Sequence, residues 1–260
     1  MFYLLGVLNG ALANFVFKRI AKPKRGGYFE ANKQFIAPLP VPNASIEEQA
    51  EIAEMARALQ DGWTRRRELL VAAQDRLSVL PRARHGEHWL WPDLPAMHNL
   101  EAAAPRRLEI AGERRDWAKQ KVADAVAERL EKLQAALDGE VTPEATFRNG
   151  ELVLHAGGRH LLDHIYLDDG AGRLAEGYWC FLLLSQNWRG ASGLAAALRQ
   201  PPSEPGAPAA RQFVERVDEL AQQVADIATQ ETALNERLFA LYDLTEAERF
   251  LVETDDRGRS

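Results

Sequence analysis

Six cations fall within a short stretch near the amino terminus: Lys18, Arg19, Lys22, Lys24, Arg25 and Lys33, opposed only by Glu30. The first forty residues therefore carry +5 (six cations minus one anion). Such side chains neutralise phosphates, and the adjoining Gly26-Gly27 pair lets backbone amides come close to one. Lys33 and Gln34 are of the types that read guanine or adenine edges in the major groove. Two other readings stay open. The segment can be a solvated basic loop, or Gly26-Gly27-Tyr28 can be a purely structural turn with Tyr28 in the core.

Other reactive groups are less organised. His85 and His88, and His155, His160 and His164, have spacings seen among metal ligands, but they lie in unrelated segments and Cys180 is the only cysteine. A zinc site would need a fuller set, so these histidines are read as surface or packing residues. Asp163, Asp168 and Asp169 are acidic, yet no lysine follows to complete the pattern of a metal-dependent nuclease. Arg65, Arg66 and Arg67 read as a solvated helix face, with phosphate contact as the lesser reading. Cys180 sits in the apolar stretch 178–184 and reads as a small core residue; a single cysteine fits a reducing cytoplasm.

Around these residues lies an ordinary globular composition. The chain has 260 residues, 46% hydrophobic and 27% charged, with a net charge of −6. That length allows one large domain or two smaller ones. The acidic total argues against a uniformly basic coat, but phosphates respond to nearby charges more than distant ones. Leu, Ala, Glu, Arg and Gln dominate after Ile46 and tilt the class toward helices.

The uncharged stretch Met1 to Phe17 lacks a preceding basic region and is interrupted by Gly6, Asn9, Gly10 and Asn14. It falls short of the ~20 apolar residues of a spanning helix. It is expected to be one helix, buried on most sides and ending near Ile20, as if it began inside a larger architecture. A basic loop over 21–27 and a short strand over 28–36 should follow, with Pro38, Pro40 and Pro42 stiffening the exit.

Ser45 and Glu48 form a capping box that opens a helix running to about Leu80, bent near Gly62. Residues 81–105 hold Pro81, Pro92, Pro95 and Pro105 and should be irregular, pinned by Trp89 and Trp91. An amphipathic helix through Val122 and Leu137 comes next. Asn149-Gly150 then signals a hairpin, and Gly157-Gly158 a second turn. A helix is expected over 174–188 and a proline-rich linker over 200–208. Phe213, Val217, Leu220, Val224, Ile227, Leu234, Leu238 and Leu241 recur in a 4-3 rhythm broken only by Glu231, a seam of coiled-coil type. It should pair antiparallel with the 46–80 helix. Thr245 and Glu248 form a second capping box before a short last helix. The expected class is mainly α with a small β component (α+β), divided into 1–80, an insertion 81–209 that holds the hairpin, and 210–260.

Three stretches resemble the TaqI-like C-terminal specificity domain of adenine-specific DNA methyltransferases and single-chain restriction–modification enzymes. The first is the opening helix with Leu5-Gly6-Val7-Leu8-Asn9-Gly10. The second combines Gly26-Gly27-Tyr28, Lys33-Gln34 and Pro38-Leu39-Pro40-Val41-Pro42. The third is Leu241-Tyr242-Asp243-Leu244-Thr245 with the acids after it. They cover about a third of the chain and leave 81–209 without a motif. The resemblance implies a module that grips duplex DNA and selects the target, working with a methyltransferase catalytic domain in cis or in trans. Its DNA-contacting set would be Lys18, Arg19, Lys22, Lys24, Arg25, Gly26, Gly27, Tyr28, Lys33 and Gln34.

The glycine-rich turn for S-adenosylmethionine and the Asn/Asp-Pro-Pro-aromatic motif that holds a flipped adenine are both missing; Gln200-Pro201-Pro202-Ser203 lacks the polar head and the aromatic. The chain alone is thus expected to be catalytically inert and to hold no cofactor. S-adenosylmethionine, and magnesium if the enzyme also cleaves DNA, would belong to the catalytic partner. The competing expectation is a helical scaffold that docks a protein through the heptad seam. A nuclease would need metal-dependent cleavage by this chain.

Overall fold

The computed structural model describes residues 1–24, 28–139 and 141–257. In chain order the elements are α1 (Phe2–Asn9), α2 (Ala11–Ile20), α3 (Lys33–Ile36), α4 (Ile46–Ser78), α5 (Glu87–Leu90), α6 (Met97–Ala103), α7 (Ala111–Leu137), β1 (Glu144–Arg148), β2 (Glu151–Ala156) and β3 (Arg159–Tyr166). They continue with α8 (Asp169–Ser185), α9 (Gly190–Leu198), α10 (Pro208–Leu241) and α11 (Glu246–Arg257). The protein is mainly helical with one small antiparallel sheet, the class expected from its composition and periodicity. No helix among the described residues is long and apolar enough to cross a membrane. Two compact units form: residues 1–68 with 222–260, and residues 69–221. Their boundaries fall inside α4 and α10, whereas the sequence suggests divisions at 80/81 and 209/210.

In the first unit, α4 and α10 pair in opposite directions. Arg237 binds Glu51 at 2.8 Å and Glu48 at 3.4 Å, while further along α4 the Trp63 indole donates to Glu231 at 3.3 Å. A Cβ at Gly62 would lie 3.2 Å from Ile227, so glycine allows the helices to close together there. Helix α4 runs unbroken through Gly62 and ends at Ser78, close to the expected Leu80. Ile52, Leu59, Ile227, Leu234 and Leu238 pack with Val7 of α1 into one apolar cluster. Burying such side chains contributes about 1.5–3 kcal/mol each. The seam is therefore covered by partners within the chain.

The opening helix departs from expectation in two ways. It breaks at Gly10, which is extended (φ −69°, ψ 157°) and separates α1 from α2. A Cβ there would stand 2.5 Å from the Leu238 side chain, and Asn235 accepts the Ala11 amide at 2.8 Å. A residue on α10 thus satisfies one of the amides left open at the start of α2. Nor is α1 buried on most sides: Leu4, Leu5 and Leu8 are 46%, 40% and 37% exposed. Downstream, Tyr3 and Tyr242 donate to the carbonyls of Pro42 and Pro40 and tie the proline-stiffened connector down.

Both capping boxes form. Ser45 and Glu48 exchange hydrogen bonds of 2.9 and 3.2 Å, and Thr245 and Glu248 bonds of 2.9 and 3.4 Å. The Ser45 amide beside it holds the Glu48 carboxyl below its ordinary range.

The second unit joins a three-stranded meander, ordered β1-β2-β3, to helices. Asn149 and Gly150 both have positive φ (53° and 81°), the conformation that a two-residue hairpin turn demands. Gly157 and Gly158 repeat it at the second turn (56° and 78°). Helix α8 is buried along most of its length, and Trp179 is fully enclosed with its indole donating to the Leu198 carbonyl at 3.2 Å. Trp89 meets Trp179 edge to face at 5.9 Å and stacks on His85 at 4.5 Å, while Trp91 is itself buried. The tryptophans thus pin this stretch, as their sequence position predicts, but it is not irregular throughout: the short helices α5 and α6 form within it. The helix expected over 174–188 is α8, which starts earlier at Asp169 and ends at Ser185; α9, beyond that range, was not anticipated.

Candidate nucleic-acid interface

The basic segment is built on the last turn of α2. Pro23 and Phe29 form an isolated antiparallel bridge; the Lys24 amide donates to the Tyr28 carbonyl at 2.6 Å, and the Glu30 amide to the Lys22 carbonyl at 3.0 Å. Paired this way, Lys22 stands opposite Glu30, and Lys24 opposite Tyr28. Alternation along extended chain then puts those four side chains on one face and Pro23 and Phe29 on the other. Phe29 meets Phe17 of α2 edge to face at 6.2 Å. Phe29 anchors the loop on Phe17, while Pro23 is exposed like Lys22, Lys24 and Tyr28.

Lys22 and Lys24 are exposed, and Tyr28 is 74% exposed. The alternative of a structural turn with Tyr28 in the core is therefore corrected: its cross-strand position opposite Lys24 faces away from Phe17. Lys24 lies 3.9 Å from Glu30, a solvent-exposed pair that holds the lysine only weakly. Arg25, Gly26 and Gly27 lie outside the described residues.

The other predicted contacts flank this loop. Lys18 is half-buried and Arg19 exposed in the last turn of α2, where the Arg19 guanidinium covers the Phe15 ring at 3.3 Å and donates to the Phe15 carbonyl at 3.0 Å. Lys33 and Gln34 are exposed, but they do not lie on a strand. Asn32 accepts the Gln34 amide at 3.1 Å and starts α3, so the stretch expected as strand 28–36 ends in a helical turn. The Asn32 cap outweighs the alternation of Phe29, Ala31, Lys33 and Phe35 because one local hydrogen bond settles the backbone before any strand partner is available. Sequence reading missed Asn32, Phe17 and Phe29 as positioning residues. An asparagine two places before Gln34 was a legible signal; the Phe17–Phe29 contact was not.

The remaining candidates have structural roles. Asp168 accepts the Ala171 amide at 2.8 Å and caps α8. Asp163 binds His160 at 3.3 Å and His164 at 3.6 Å, and His164 also meets Glu151 at 3.3 Å. Among the described residues, no group of three His, Cys, Asp or Glu side chains is arranged to hold a metal ion. Arg65 pairs with Glu68 at 3.5 Å, and Arg66 lies over the Trp63 ring at 5.3 Å. Cys180 donates to the Ala145 carbonyl at 3.7 Å, and burial pushes its thiol up to about 11, away from nucleophilic chemistry. Comparison of the chain with family models, with curated proteins and with solved structures returned no match in any of the three.

Proposed function

We propose that this chain is a DNA target-recognition region of an adenine-specific DNA methyltransferase or restriction–modification enzyme. It would hold duplex DNA for a catalytic domain supplied in cis or in trans, and S-adenosylmethionine would belong to that domain. The observation that carries the reading is the outward face of the 22–30 loop. Lys22, Lys24 and exposed Tyr28 share it, while Phe17 and Phe29 secure its other side. Arg19 and Lys33 extend the cationic segment at either end, and its charge of +5 acts on phosphates within a Debye length of ~8 Å. The resemblance at 5–10, 26–42 and 241–248 supports the same role.

Anisotropy titrations of the full chain with labelled duplex DNA at several salt concentrations test it. Binding should weaken steeply with salt, and Lys22→Glu/Lys24→Glu/Arg25→Glu should lower affinity at least tenfold, with the salt slope falling by about 0.9 for each phosphate no longer neutralised. Unchanged affinity in the folded triple variant would refute the assignment.

A second reading, a helical module that docks another protein, draws on exposed Leu4 and Leu8 of α1 rather than on the seam, which is already covered. Leu4→Glu/Leu8→Glu would abolish partner association under that reading and leave DNA affinity unchanged.

A further inference from the structure

Within the first unit, α1, α2, α4 and α10 surround a groove of about 360 Å³, in the size range of small-molecule sites. Its floor is apolar and low, formed by Gly6, Ala56, Leu59 and Leu234. Its polar lining is Asn9, Asn14, Gln60, Glu231 and Asn235, and Trp63, 44% exposed, lines it too. Glu231 occupies the one position of the α10 seam where the 4-3 rhythm calls for an apolar residue. A carboxylate there gives the seam no apolar contact and, among the described residues, joins α4 only through the Trp63 indole.

The hydrogen bonds define what the groove can recognise. One oxygen of Glu231 accepts the Trp63 indole N–H at 3.3 Å, and among the described residues no cation pairs with this carboxylate. Asn235 accepts the Ala11 backbone amide, which can only donate, so its oxygen is committed and its NH₂ remains the donor. Gln60 adds a second amide. A carboxylate acceptor and an amide donor one turn apart on α10, in a groove with apolar lining, complement a ring that presents an amino group next to a ring acceptor. Carboxylates accept from the cytosine amine, and side-chain amides read the adenine edge. A ring with a carbonyl in place of the amine would set oxygen against carboxylate, a repulsive contact that favours discrimination.

We propose that this groove binds an amino-bearing heterocycle, the ring of adenine or cytosine, with Glu231 accepting from the exocyclic amine and Asn235 donating to the neighbouring ring acceptor. The ring can come from a free nucleoside or from a base displaced from a nucleic-acid strand. The proposal does not depend on the basic loop: a chain that fails to hold duplex DNA can still take a free nucleoside.

Titration of the full chain with adenosine, cytidine and uridine, followed through the side-chain amide NMR signals of Asn235 and Gln60, tests it. Adenosine and cytidine should shift both signals, with uridine at least about tenfold weaker, the scale of one charge-assisted hydrogen bond. Glu231→Gln keeps the size and should cost adenosine about tenfold, as a charged acceptor becomes neutral. Glu231→Leu completes the apolar seam, so the protein stays folded while the shifts disappear. A duplex carrying one unpaired adenine, compared with the same duplex fully paired, separates the two sources: tighter binding with shifts at Asn235 and Gln60 assigns a strand base, and equal binding without those shifts a free nucleoside. Equal response to uridine, wild-type binding by folded Glu231→Leu, or immobile Asn235 and Gln60 signals with adenosine and cytidine would overturn the proposal.

Discussion

The two units use successive turns of the same helix for opposite ends. In the second unit, Phe213, Val217 and Leu220 of α10 are fully buried, and the Phe213 ring meets Phe181 of α8 edge to face at 5.7 Å. In the first unit the rhythm continues through Ile227, Leu234 and Leu238, but Glu231 interrupts it and a polar-sided groove lies alongside. A heptad stripe states which face of a helix turns inward. Whether that face becomes dry depends on what it meets: in one unit the extensively buried α8, in the other α4 together with short helices broken at Gly10.

The largest expected effect is at the dry end. Trp179→Ala removes a fully enclosed indole and its bond to Leu198, and urea unfolding should show a loss of about 3–5 kcal/mol. Leu234→Ala, beside the groove, should cost about 2 kcal/mol, the low end for a buried leucine, because water and neighbours can fill the gap. Equal losses at both positions would erase the contrast between the units.

Next in size is Gly172→Ala in α8. A Cβ at that site would lie 2.2 Å from the Phe147 ring of β1, so the sheet or the helix must shift. A decrease of about 1–3 kcal/mol in the same assay is expected, and a neutral result would mean that the second unit is loosely packed.

Glu231→Leu should act in the opposite direction, raising stability by about 1 kcal/mol as the seam becomes continuous. A loss of stability would show that the carboxylate supports the helix pair and does not merely open it.

The smallest effect is at the α4 cap. Ser45→Ala should cost about 1 kcal/mol at neutral pH. Ser45→Ala keeps the backbone amide that is the main cause of the lowered Glu48 pKa and removes only the lesser side-chain hydrogen bond; that lesser part is present above the unfolded value and is lost as pH falls through the native one. The gap between wild type and variant should therefore narrow only in part on acidification; a gap that stays constant would place the cap's effect wholly in the hydrogen bond from the Glu48 amide to the Ser45 hydroxyl.

What could be read from the sequence had its partners nearby. The two capping boxes close within four residues, and Asn149-Gly150 makes its turn from its own backbone preference. The cationic character of 18–33 is likewise plain from residue types. The arrangement of that segment was not: Tyr28 looked equally suited to the core, and its outward position follows from Pro23 pairing with Phe29 against Phe17. Lys33 and Gln34 alternated as a strand would, yet they sit on a helical turn that one asparagine starts.

By itself, the sequence determined the helical class, the caps, the hairpin turns and the α10 stripe, because each depends on dihedral preferences or spacings within a few residues. Only the tertiary structure decided where the opening helix breaks, which of its leucines stay exposed, and that Glu231 and Asn235 border one groove. Asn235 reaches Ala11 across 224 positions of chain, and Glu231 reaches Trp63 across 168. Contacts at such separations leave no periodic trace, since they depend on how packed helices meet and not on what any one helix prefers.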